Sequence, residues 1–212
     1  ALDHAVIIES PRGAGRTRFL REFEKRIVNR NLRSLFFSAS QTQNLAVDIV
    51  DTIWENLDRE YRLQLSFKWG GAILLYFPHF SEFGEFKNVK PVKNLPQVSE
   101  DFYRFVSMFR DFIKMGTRNI PLVLMLDNFD HIDKRSLKLI QELTSGAESS
   151  NRVFVVVTID STSGSNLEIP AFSRITLSPF TFAETRDYIE SCLGRAGASI
   201  DNELFMWVYR NS

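Results

Sequence analysis

The chain has 212 residues, 44% hydrophobic and 25% charged, with one cysteine. Such a length suits one domain or one and a fraction, the apolar content excludes disorder along the whole chain, and a lone Cys192 excludes an internal disulfide and metal sites built on paired thiolates. Its 26 basic and 26 acidic side chains balance, so charge does not indicate a nucleic-acid or membrane-surface partner.

Taken in chain order, the stretch 4–10 is a short β-branched apolar run ending in turn residues, the pattern of a strand buried on both faces of a parallel sheet. Its placement almost at the first residue reads as a trimmed fragment. After a Gly-rich turn, Phe19, Leu20, Phe23, Ile27 and Val28 recur at helical spacing and predict an amphipathic helix over about 16–30. Residues 33–40 read as a second strand. Leu45, Ile49, Ile53 and Leu57 predict one continuous helix through 44–61.

Residues 66–98 read as an irregular or partly helical insertion in which the apolar cluster 69–80 is core or interface; aromatics exposed around Phe77, Phe80, Phe83 and Phe86 would instead favour a non-enzymatic scaffold. The apolar cluster 69–80 is broken by Gly70, Gly71 and Pro78 and is shorter than the roughly 20 residues of a membrane helix. A soluble, cytoplasmic protein with no membrane partner is expected.

From Ser99, a predicted N-cap, a helix runs to Gly116 with Phe102, Phe105, Val106, Phe109 and Ile113 on its apolar face. A very hydrophobic strand at 120–130, a helix from Lys134, a strand at 152–160 and a short strand near 174–180 follow. Alternation of apolar strands with helices predicts an α/β fold, a three-layer α/β/α sandwich on a parallel sheet, over 1–178. Residues 179–212 then hold two helical segments with no strand, read as the start of a helical lid. Thr181 and Glu184 form a capping box that starts the first of them near Phe182.

The turn after strand one aligns with G-x-x-x-x-G-K-[ST] on Ser10, Pro11, Arg12, Gly13, Ala14, Gly15, Arg16 and Thr17. Small residues let backbone N–H groups point at phosphate oxygens while the following helix presents its positive end. Ser10 stands where the motif has glycine and Arg16 where it has lysine. The competing reading is a plain strand-to-helix turn. A strand before it, a helix after it and a carboxylate downstream favour nucleotide binding, with Pro11, Arg12, Gly13, Ala14, Gly15, Arg16, Thr17 and Arg18 as the binding residues.

Asp127 ends the most apolar strand, where a metal-binding carboxylate would share Mg²⁺ with the Thr17 hydroxyl. The next position, usually an acid that activates water, is Asn128. An amide can orient water but cannot take its proton, so hydrolysis is expected to be slow unless Asp130 substitutes; otherwise Asp130 and Asp133 are caps or turn residues. Thr158 and Asp160 end the next long strand and read as an ordinary strand end or as contacts to a phosphate or water. His4, His79 and His131 lack metal-ligand spacing, Cys192 is expected to be buried, Trp54, Trp69 and Trp207 are expected to pack, and Lys87, Lys90 and Lys93 read as solvated loop.

This motif order resembles the AAA+-like signal-transduction NTPases of the STAND group, found as ATPase modules of large bacterial regulators and related archaeal ATPases. The stretch 9–23 is similar to their phosphate loop and trailing helix, 122–133 to their acidic strand, 153–161 to their sensor strand and 175–189 to the strand, proline and lid helix that follow. The resemblance implies ATP or ADP with Mg²⁺ as ligands, Pro179 near the adenine, and protein partners or flanking domains of the same chain. Ser10, Arg16 and Asn128 depart from that pattern. The readings left in competition are a nucleotide-binding switch, a pseudo-ATPase scaffold without nucleotide, and a DNA-associated AAA+ ATPase.

Overall fold

A computed structural model describes residues 5–41, 44–93, 98–145, 152–163, 173–195 and 200–211. His4 and residues 94–97 of the predicted insertion lie outside them. Five strands, β1 (Ala5–Ser10), β2 (Arg33–Ser38), β3 (Leu122–Asp127), β4 (Val153–Asp160) and β5 (Ser173–Thr176), form one parallel sheet in the order β2-β3-β4-β1-β5. The strand carrying the phosphate-loop motif therefore lies beside β4, and β4 separates it from β3, which ends in Asp127.

All six positions of β3 are buried. Leu122, Leu124 and Leu126 face one side, with Ile7, Val155 and Val157. Val123 and Met125 face the other, with Ile8 and Val156. Continuous apolar runs thus arise because both faces of a central parallel strand are covered. Helix α1 (Arg16–Val28) covers one face through Leu20 and Ile27; its Phe19 and Val28, expected on the apolar side, are exposed. The opposite face carries α2 (Leu45–Glu55), α3 (Arg59–Tyr76), α4 (Val98–Gly116) and α5 (Lys134–Ser145).

The expected continuous helix over 44–61 is two helices. Asn56 and Leu57 turn the chain after α2, and Arg62 of α3 donates to the carbonyls of Trp54 (3.0 Å) and Glu55 (3.0 Å), tying the start of α3 to the last turn of α2. The described part of the insertion, 66–93, is partly helical. Helix α3 runs through it to Tyr76, followed by 3₁₀ turns at Pro78–Glu82 and Gly84–Phe86. Gly70 and Gly71 do not break α3; they make room for Val89 and Val92, and Val92 N donates to the Gly71 carbonyl at 3.0 Å.

The aromatics from Phe77 to Phe86 pack inward, whereas Phe67 on α3 is exposed. Phe77, Phe80 and Phe86 are buried, and Trp54 meets Phe80, Phe83, Phe86 and Phe112 at centroid distances of 5.1, 5.8, 5.4 and 6.1 Å. Helix α4 begins at Val98, so Ser99 lies inside it rather than capping it, and Gly116 is its last helical residue. Lys87, Lys90 and Lys93 are exposed as expected.

Two further helices, α6 (Phe182–Arg195) and α7 (Asn202–Asn211), follow the sheet. The capping box is formed: Thr181 N donates to Glu184 Oε2 at 2.8 Å and Glu184 N to Thr181 Oγ1 at 3.3 Å. Phe182 meets Phe205 and Tyr209 edge-to-face and those two rings stack, whereas Cys192 and Trp207, expected in the interior, are exposed. No helix among the described residues is long and apolar enough to cross a membrane.

Candidate functional site

At the carboxyl edge of the sheet the chain leaves β1 through Pro11, Arg12, Gly13 and Ala14 and enters α1 at Arg16. Gly13 and Gly15 have φ of 84° and 87°, a left-handed conformation that side-chain-bearing residues avoid. A Cβ on Gly15 would meet nothing within 4 Å, so glycine is required there for its backbone angle and not for space. Gly15 caps α1 without a side-chain hydrogen bond, and the first turn holds no acidic residue. A helix start of this kind presents its positive end and first N–H groups, to which anions are attracted.

Register brings the candidate residues together. Ser38 pairs with Asp127 across β2–β3 and Ser10 pairs with Asp160 across β1–β4, so four strand ends share one edge. Asp127 is 2% exposed and accepts from Thr17 Oγ1 at 2.6 Å, Thr158 Oγ1 at 2.5 Å and the Asn128 amide at 3.1 Å. A buried carboxylate so supplied with donors stays within the loop's reach without a full countercharge. Asn128 adopts φ 54°, ψ 44°, and its Nδ2 donates to Ser38 Oγ at 3.2 Å and Ser40 Oγ at 3.5 Å.

Asp130 receives the Asp160 amide at 3.2 Å and faces His131 Nε2 at 3.3 Å, so its carboxylate holds the end of β4. Asp133 caps α5 by accepting from Arg135 N and Ser136 N at 2.9 and 3.0 Å. Arg16 Nη1 donates to the Ser10 carbonyl at 3.2 Å while Nη2 lies 3.8 Å from Asp160 Oδ2. Arg12 Nε donates to the same Asp160 oxygen at 2.8 Å. Two donors from Thr162, with help from these arginines, hold the Asp160 carboxyl down to about 2 despite its burial.

The Arg18 side chain leans along α1 to Glu22 at 3.1 Å rather than into the loop. Pro179 is exposed, and among the described residues no hydrogen bond joins it to 11–17. Sequence reasoning treated Asp160 chiefly as a strand end and missed its two arginines. Only the register of β1 against β4 gives that signal.

Donor chemistry at the Thr17–Asp127 pair, a hydroxyl and a carboxylate, fits a hard cation such as Mg²⁺. Among the described residues no group of three or more His, Cys, Asp or Glu side chains could hold a metal by itself. A cation here would take one carboxylate and one hydroxyl from the protein and its remaining ligands from phosphate and water.

A parallel sheet of this order, with a Gly-rich loop feeding a helix beside an acidic strand end, defines the class of P-loop NTPases. The chain belongs to the AAA ATPase domain family, whose model matches residues 2–156. No curated protein matches it. Among solved structures it is similar to Cdc6p from Pyrobaculum aerophilum, at 16% identity over 87% of this chain and 41% of that one, TM-score 0.45. It is also similar to Drosophila ORC bound to DNA (17%, 91% and 42%, 0.47) and to the Aeropyrum pernix ORC1 protein in complex with DNA (17%, 90% and 44%, 0.47). The chain thus spans less than half the length of each of these.

Proposed function

We propose that this AAA ATPase domain is a nucleotide-binding switch of STAND-like type, holding ATP or ADP with Mg²⁺ at the loop 11–18 and hydrolysing it slowly. One observation carries the reading. The Thr17 hydroxyl and the buried Asp127 carboxylate, 110 positions apart in sequence, meet at 2.6 Å, beneath a helix start of the kind that attracts anions. When bound, Mg²⁺ would neutralise phosphate charge at this pair; the loop amides and the Arg16 guanidinium would hold the phosphates.

Slow turnover follows from Asn128, which has no proton-accepting group, and from Asp130, which is engaged by the Asp160 amide. In this reading 1–178 is the nucleotide-binding domain and 179–212 begins a lid that places Pro179 by the adenine. Nucleotide contacts to both parts then bias their relative orientation, which flanking domains or protein partners sense. The scaffold alternative loses its exposed aromatics, since Phe77, Phe80 and Phe86 are buried; it retains only the departures at Ser10, Arg16 and Asn128.

The test is a titration with a fluorescent ATP analogue in the presence and absence of Mg²⁺, repeated on Arg16→Ala. Saturable, Mg²⁺-dependent binding that weakens by about 10-fold or more in the variant is expected for a lost charge-assisted contact. Absence of saturable binding by the wild-type chain would refute the proposal.

A further inference from the structure

Asp160 is an unusual neighbour for a phosphate site. Its carboxylate is 4% exposed, directly across the strand pair from Ser10, and pinned on one oxygen by Thr162 N (2.9 Å) and Thr162 Oγ1 (2.6 Å). That leaves Oδ2 aimed at the loop, where it holds Arg12 at 2.8 Å and lies 3.8 Å from Arg16. Arg16 is well covered, with 10% of its side chain exposed, whereas Arg12 is 77% exposed and reaches back from the loop to make this contact. The two cations that a phosphate would seek already face an anion supplied by the protein.

Arginine at the lysine position makes the arrangement possible. Its planar fork lets one nitrogen donate to the Ser10 carbonyl while the other faces Asp160, which a point-charge ammonium cannot do with the same geometry.

We propose that Asp160 is a built-in competitor for the phosphate site: it clasps Arg12 and Arg16 in the free protein, and a di- or triphosphate binds by drawing them away. The inference rests on the nucleotide-site reading above and adds a regulatory residue to it. An ionised carboxylate beside the entering phosphate repels it and also occupies its cationic partners, so both effects lower affinity in the same direction. Thr162 is part of the clasp because it fixes which oxygen faces the arginines.

The experiment compares binding of ADP and of inorganic tripolyphosphate to wild type, Asp160→Asn and Thr162→Val, with circular dichroism confirming that each is folded. Asp160→Asn is expected to tighten both ligands by about 5- to 20-fold, the scale for removing one like charge a few ångströms from a partly solvated anion. Thr162→Val, an exposed and near-isosteric change, should tighten them by about 2- to 3-fold by loosening the carboxylate. Should Asp160→Asn not fold, Thr162→Val decides alone. If wild type binds but the folded variants bind equally or more weakly, Asp160 positions the arginines instead, and the competitor proposal falls while the nucleotide site stands. Absence of binding by wild type and variants alike would overturn both.

Discussion

Thr17→Val isolates the contact on which the site is built, because valine keeps the side chain's shape and removes only the hydroxyl. In the folded protein that hydroxyl donates to Asp127 Oδ2 at 2.6 Å, and the acceptor residue is 2% exposed. A hydrogen bond to a charged group contributes about 1.5–3 kcal/mol. Asp127 keeps its Thr158 and Asn128 donors, and Thr17 lies on the solvent side, so the lower end applies, about 1.5 kcal/mol. For a domain of this size that corresponds to a fall in Tm of about 3–6 °C, measured by calorimetry without nucleotide. The same variant should lose the Mg²⁺-dependent part of ATP affinity and keep the Mg²⁺-independent part, since the loop amides and Arg16 are untouched. An unchanged Tm would mean that the hydroxyl is solvated rather than bonded to Asp127; unchanged Mg²⁺ dependence would remove Thr17 from the cation site.

Asn128→Glu should raise ATP turnover by about 10-fold or more in a steady-state phosphate-release assay by supplying the missing base; no gain would show that the absent acid is not what limits hydrolysis. Gly71→Ala should destabilise the protein by about 1–3 kcal/mol in urea, because its Cβ would come within 2.7 Å of Val92 and 2.9 Å of the Lys90 carbonyl; an unaffected midpoint would mean that 87–93 does not lie on α3. Asp160 is held at about 2, below its ordinary 3.8, so it contributes stability that is fully present above the ordinary value and lost as pH falls toward 2. Asp160→Asn should therefore flatten stability against pH across that window, and an unaltered slope would show that the carboxylate is not held in an ionised state.

The strands and their parallel arrangement were legible because β1, β3 and β4 are uninterrupted apolar runs that only burial on two faces explains; their order in the sheet was not. The loop was legible because Gly13, Gly15 and Thr17 keep their spacing, and Asp127 because it ends the most apolar run. Register is what composition does not carry. Nothing local to Arg12 or Asp160 announces that β1 and β4 pair Ser10 with Asp160. Gly70 and Gly71 read as breakers because local propensity disfavours glycine in a helix, but Val89 and Val92 fill the space that their missing side chains leave. The aromatics of 77–86 sit among prolines, glycines and lysines, so the sequence left core, interface and exposed scaffold surface open; a single indole, Trp54, gathers Phe80, Phe83 and Phe86 into the core. Cys192 and Trp207 err in the opposite sense, since the apolar spacing of a helix does not say whether another element covers it.

An anion cradle at the turn from Gly13 to Thr17 is tested directly by backbone amide NMR during addition of ADP and Mg²⁺. Saturable shifts at the amides of Gly13, Gly15, Arg16 and Thr17, with the same dissociation constant at each, are predicted. Saturation at amides elsewhere while these four stay still would contradict it.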